Sequence, residues 1–79
     1  MKKIENLTFH DILKEVFPSS DIPNFVLDLK IGDIIEWDSI GNFNLLLYLE
    51  EFYNIKFSFD EIVHLNSVST IILSIESKK

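Results

Sequence analysis

The 79-residue sequence is 47% apolar, contains no cysteine and carries a formal net charge of −6. This length fits one small domain, residues 1–79, whose core buries about 60% of the surface its unfolded chain exposes. Such a core leaves little room for an enclosed active site, and without cysteine both disulfides and thiolate metal sites are excluded.

The charge is unevenly spread. Lys2, Lys3, Lys78 and Lys79 sit at the two ends, so in the body only Lys14, Lys30 and Lys56 face thirteen acidic side chains. Phosphate backbones are repelled by such a surface, and no arginine is present to fork onto phosphate or guanine, so nucleic acid is not an expected partner. A basic protein surface suits it better. The start, MKKIENLTFHDILKE, lacks the continuous apolar core of a signal peptide, and no apolar run approaches ~18 residues. The expectation is a cytoplasmic monomer with no membrane span.

In chain order, Phe9, Ile12, Leu13 and Val16 form the stripe of a first helix. Thr8 with Asp11 offers it a capped start, and Pro18 ends it near Phe17. PSSDIP, residues 18–23, is turn-rich. Beyond it Phe25, Leu27, Leu29 and Ile31 alternate like a strand, but no second strand is available to pair with, which predicts a long connection pinned to the core by those side chains. Ser39 to Tyr53 reads as the principal helix. Gly41 costs it about 1 kcal/mol relative to alanine, and its apolar stripe is wider than one core contact requires, leaving part of it for a partner. Ser58-Phe59-Asp60-Glu61 is a capping box opening a short helix to about Leu65. Val68, Ile71, Ile72 and Ile75 have helical spacing despite their β-branched propensity. The expected fold is all-α, four helices around one core, with a long first loop and a short third helix.

The stretch EWDSIGNF, residues 36–43, holds two good N-cap residues for one helix start. If Ser39 is the cap, its oxygen is spent on a backbone N–H near Asn42. If Asp38 caps, Ser39 becomes the first helical residue, and its hydroxyl stands free at the positive helix end, where an attached phosphate is favoured by about 0.3–1 kcal/mol. Serine at a helix start is routine, so the residues alone leave both arrangements open.

WDSIGNFNLLLYLEEFYNIKF followed by SFDEIVHLNSVSTIILSI resembles the acyl carrier protein family. The match lies in D-S-I at the second helix start with a tryptophan before it, Glu50-Glu51 closing an apolar run, the NIKF exit and the LNSVSTI turn into a final helix. The resemblance spans residues 33–75, and the length and helix order agree over the whole chain. It implies that a phosphopantetheinyl transferase attaches 4′-phosphopantetheine from coenzyme A to Ser39, with Asp38 flanking at the helix start. Acyl intermediates then ride as thioesters on the arm's thiol and are presented to an acyl-loading ligase or acyltransferase and to synthases or transferases with basic or apolar docking patches. The chain itself is then a carrier and not an enzyme, serving fatty acid, polyketide or another specialised acyl-transfer pathway. Alternatives are an amino-acid or D-alanyl carrier loaded by an adenylating ligase, and an unmodified acidic adaptor in which Ser39 is only a cap.

The sequence departs from the family pattern just after the serine. Where many members carry acids, it reads Ile40, Gly41, Asn42, Phe43 and Asn44, so the expected contact patch is apolar and neutral, formed by Ile40, Phe43 and Asn44 with Glu50 and Glu51 further along. Phe52 replaces another frequent acid, and exposed it would widen the sticky surface. Seven phenylalanines fill volume in so small a core, which favours short or polar cargo over an acyl chain threaded between helices.

Other chemistries fit less well. W-D-S-I-G is half of a G-x-S-x-G nucleophile elbow and lacks the strand that motif needs. His10 and His64 have no metal-ligand spacing, and residues 28–38 do not form a calcium loop. Adjacent acids in Glu50-Glu51 and Asp60-Glu61 point apart on a helix and make no acid/base pair. Trp37 reads as an anchor beside the helix start.

Overall fold

Apolar residues at helical spacing converge on one core. A computed structural model describes residues 4–78 and contains α1 (Asn6–Val16), α2 (Ser39–Tyr53), α3 (Phe59–His64) and α4 (Val68–Lys78), with no strand among the described residues. Phe9, Ile12 and Leu13 of α1, Leu45, Leu46 and Leu49 of α2, and Val68, Ile71, Ile72 and Ile75 of α4 are all buried. In α4 this burial outweighs the strand propensity of its β-branched residues.

The first helix starts earlier than Thr8 and Asp11 suggest. It begins at Asn6, and Glu5 occupies the cap position without a side-chain cap bond. Asn6 instead clamps the long connection: the Val26 N–H donates to Asn6 Oδ1 and Asn6 Nδ2 donates to the Asn24 carbonyl, each at 2.8 Å. That clamp also shifts the alternation expected of residues 25–31. Phe25 is exposed, whereas Val26 beside it is fully buried, and Leu27, Leu29 and Ile31 pack half-buried against the core.

The connection does find a pairing partner, in the turn before α4. Lys30 forms a single antiparallel bridge with Ser67, flanked by Ile31 N–H to the Asn66 carbonyl at 2.8 Å and Val68 N–H to the Leu29 carbonyl at 2.9 Å. A tight knot follows. Gly32, at φ 94°, donates its N–H to the Trp37 carbonyl at 2.8 Å, in a backbone region that side-chain-bearing residues rarely enter. The knot drives Ile34 and Trp37 into the core.

Asn54, at φ 55°, closes α2 in the left-handed conformation that asparagine tolerates better than most residues. The capping box opens α3 as expected: Ser58 accepts from the Glu61 N–H, and the Glu61 carboxylate accepts from the Ser58 N–H. No residue within α3 is fully buried, so it is held by half-buried Ile62, by buried Leu65 just after it, and by Glu61, whose carboxylate takes the Ser74 hydroxyl at 2.8 Å and Lys78 Nζ at 2.7 Å. The phenylalanines do not all fill the core. Phe9, Phe17 and Phe57 are buried, but Phe25, Phe43, Phe52 and Phe59 are exposed.

Candidate functional site

The competition between the two cap residues is resolved in favour of Asp38. Its backbone is extended, at φ −103°, and its Oδ1 accepts the Gly41 N–H at 2.8 Å. Ser39 is therefore the first residue of α2; it is exposed, and its hydroxyl has no hydrogen-bond partner among the described residues. The first amides of a helix have no acceptor within it, and no acid follows Asp38 in the first turn of α2, so the hydroxyl stands at a positive helix end that the Asp38 carboxylate offsets in part.

A rigid platform lies under this helix start. Trp37, fully buried, donates its indole N–H to Asn42 Oδ1 at 2.9 Å, and Asn42 Nδ2 donates to the Leu65 carbonyl at 2.8 Å. One amide thus ties the loop before α2, α2 itself and the end of α3 together, with both its ends satisfied. The Phe17 ring stacks on Trp37 with centroids 6.2 Å apart. Gly41 is required by this packing, since a Cβ there would collide with the Glu36 carbonyl and press on the Phe17 ring at 3.1 Å.

The acids ahead of the serine are bound into the same scaffold. Glu36 Oε1 accepts from the Ser19 N–H at 3.0 Å and the Ser20 hydroxyl at 2.9 Å, fastening the turn after α1 to the approach to α2. The backbone N–H of Lys30 donates to Asp33 and holds its carboxyl below the usual carboxylate range, helped by the lysine ammonium at 3.3 Å.

Of the residues expected to form a contact patch, Ile40, Phe43, Asn44 and Glu51 are exposed on α2. Glu50 is half-buried and turned to the chain itself, accepting the Phe57 N–H at 2.8 Å. Asn42, within the same run, is buried. Phe52 is exposed, stacked with Tyr48 at 5.9 Å and edge-on to Tyr53 at 4.9 Å. The sequence reading missed Asn42 as the organiser of the site and Leu47 as an exposed apolar residue. Asn42 could have been found by its spacing, three residues before Leu45 and four before Leu46, on the buried face.

His64 Nδ1 lies 2.8 Å from the Asp60 carbonyl, and no group of three metal-ligating side chains occurs among the described residues. Lys78 pairs with Glu61, while Lys2, Lys3 and Lys79 lie outside the described residues. No helix among the described residues is long and apolar enough to cross a membrane. Compared with known proteins, the chain matches no family model, and neither a curated protein nor a solved structure matches it significantly.

Proposed function

We propose that this chain is an acyl-carrier-like domain that bears 4′-phosphopantetheine on Ser39. The observation that carries the reading is the unengaged Ser39 hydroxyl, exposed at the first position of a 15-residue helix because Asp38 has taken the cap. The D-S-I motif, the order of four helices and the long first connection, all quoted above, support the same reading.

The residues present suit the group. The open amides at the start of α2 and the helix dipole favour a phosphodiester there. Asp38, the nearest carboxylate in sequence, is drawn onto the Gly41 N–H, which tempers its repulsion of a second anion. The Trp37–Asn42–Leu65 network fixes the direction in which Ser39 is presented. When attached, the arm supplies a thiol that carries acyl groups as thioesters, and this explains how a cysteine-free chain takes part in thioester chemistry. The chain's own residues present the hydroxyl, hold the helix start rigid and keep the surrounding acids occupied.

Incubation with coenzyme A and a broad-specificity phosphopantetheinyl transferase, followed by intact mass measurement, tests the proposal. One added phosphopantetheine in the wild type, absent in Ser39→Ala, is the expected result. A wild-type chain that gains no mass, while a known carrier in the same tube is loaded, supports an unmodified adaptor instead.

A further inference from the structure

The groove between α1 and α2 sets two aromatic rings against a rim of carboxylates. It encloses about 590 Å³; Tyr48 and Phe52 of α2 form one wall, Asp11, Lys14 and Glu15 of α1 the other, and buried Ile12 lies between them. Glu51 borders the same two rings in a smaller depression that no α1 residue lines. The rings are ordered before any ligand arrives: Phe52 stacks on Tyr48 at 5.9 Å and meets Tyr53 edge-on at 4.9 Å, while remaining 54% exposed. The Asp11 carboxylate has only His10 Nδ1 near it, at 3.9 Å, and no side chain pairs with Glu15 or Glu51 among the described residues. Tyr48 and Phe52 lie about 14 and 20 Å along α2 from Ser39, so the groove is a place apart from the serine.

We infer that this groove binds an arginine side chain presented by a protein segment, with the guanidinium on the face of Phe52 and its N–H groups turned to Asp11 and Glu15. The inference does not rest on the carrier reading, because neither Ser39 nor the first turn of α2 enters it. The combination of groups selects the occupant. A purely apolar side chain could cover the rings, but it would strip water from the carboxylates and return nothing to them. A lysine ammonium would meet the charge as a strongly hydrated point, whereas the planar guanidinium stacks on a ring and donates to carboxylates in the same pose. The groove is open to solvent, which suits a side chain carried on a peptide better than a free small cation, since small-molecule pockets bury most of their ligand. The chain cannot fill the site itself. It has no arginine, and the ammonium that stands over a ring is Lys78, on Phe57. Lys14 on the rim faces three carboxylates and leaves the groove negative. A second copy brings a net charge of −6 and no arginine either. Phe52 also replaces an acid frequent in the family pattern, so the aromatic half of the site belongs to this chain and not to that pattern.

The test titrates the isotope-labelled protein, in about 0.15 M NaCl, with a capped peptide holding two arginines spaced by glycine, with its lysine counterpart and with free arginine amide, and follows ring and amide resonances by NMR. Shifts are expected on the Tyr48 and Phe52 rings and on the amides of Asp11 and Glu15. The arginine peptide is expected to bind about three- to fivefold tighter than the lysine peptide, and Phe52→Leu to remove that preference. Asp11→Asn combined with Glu15→Gln is expected to weaken both peptides about fivefold, whereas Phe43→Leu and Asp60→Asn, exposed elsewhere, change affinity less than about twofold. Circular dichroism checks the fold of each variant, and the contrast between arginine and lysine on the wild type stands whether or not Phe52→Leu folds. The inference is overturned if the wild type binds both peptides alike, or if neither shifts a groove resonance at about 1 mM. Shifts spread over α3, with Asp60→Asn as damaging as the groove acids, would overturn it too, marking a general pull of the acidic surface on cations. Equal binding of free arginine amide overturns the protein segment as occupant. None of these outcomes bears on the loading of Ser39.

Discussion

At the scale of single residues, the site depends most on Asn42. Its amide is the shared partner of a buried indole N–H and a buried carbonyl. Asn42→Leu preserves the approximate volume but leaves both Trp37 Nε1–H and the Leu65 carbonyl without a partner, at a cost of about 1–3 kcal/mol for each unsatisfied group. Urea unfolding is therefore expected to show a loss of about 2–4 kcal/mol for Asn42→Leu, against about 0.5 kcal/mol or less for Asn44→Leu two residues away on the solvent face. Equal losses for the two would show that the network contributes nothing particular. Gly41 illustrates how magnitudes compete at one position. Alanine would gain about 1 kcal/mol of helix propensity, but its Cβ meets the Glu36 backbone, which cannot swing aside as a side chain would.

At the scale of elements, α3 is the part most dependent on polar contacts. Six residues long and without a fully buried side chain of its own, it is bound to α4 through Glu61. Hydrogen bonds from Lys78, first, and then from the Ser58 N–H and the Ser74 hydroxyl hold the Glu61 carboxyl at about 2, against an ordinary 4.5. A carboxylate depressed in the folded state stabilises that state above its unfolded value, and the contribution is lost as the pH falls towards the folded value. Stability is thus expected to decline from about pH 5 to pH 2, and Glu61→Gln is expected to flatten that part of the curve while lowering stability at pH 7. Chemical denaturation across this range checks both; an unchanged slope in Glu61→Gln would remove Glu61 from the account.

The elements also differ in how far the sequence revealed them. The capping box of α3 and the full extent of α2 were legible because their determinants are local: a serine three residues before a glutamate, and an apolar run between an aspartate and an asparagine. The start of α1 was not, because Asn6 acts through Asn24 and Val26, 18 and 20 residues away. The alternation of residues 25–31 suggested a strand without a mate because the mate is a turn before α4.

At the scale of the molecule, the chain folds to a radius of gyration of 11.5 Å, with acids spread over a small surface. Those just before Ser39 also serve the fold while keeping their charge: one caps, one fastens a turn and one closes a knot. The hydroxyl at Ser39 was legible as one of two local alternatives, but the choice between them needed the geometry of Asp38. The platform beneath was not legible at all, since Trp37, Asn42 and Leu65 come from three separate segments.

The single tryptophan in that platform gives the protein a built-in optical gauge. Sealed from water and bonded through its ring nitrogen two positions before Ser39, it should fluoresce at short wavelength in the native protein and shift red when the molecule opens. An emission spectrum that stays blue after modification of the serine would report that the joint beneath it holds firm; a red native spectrum would mean that water already reaches the ring.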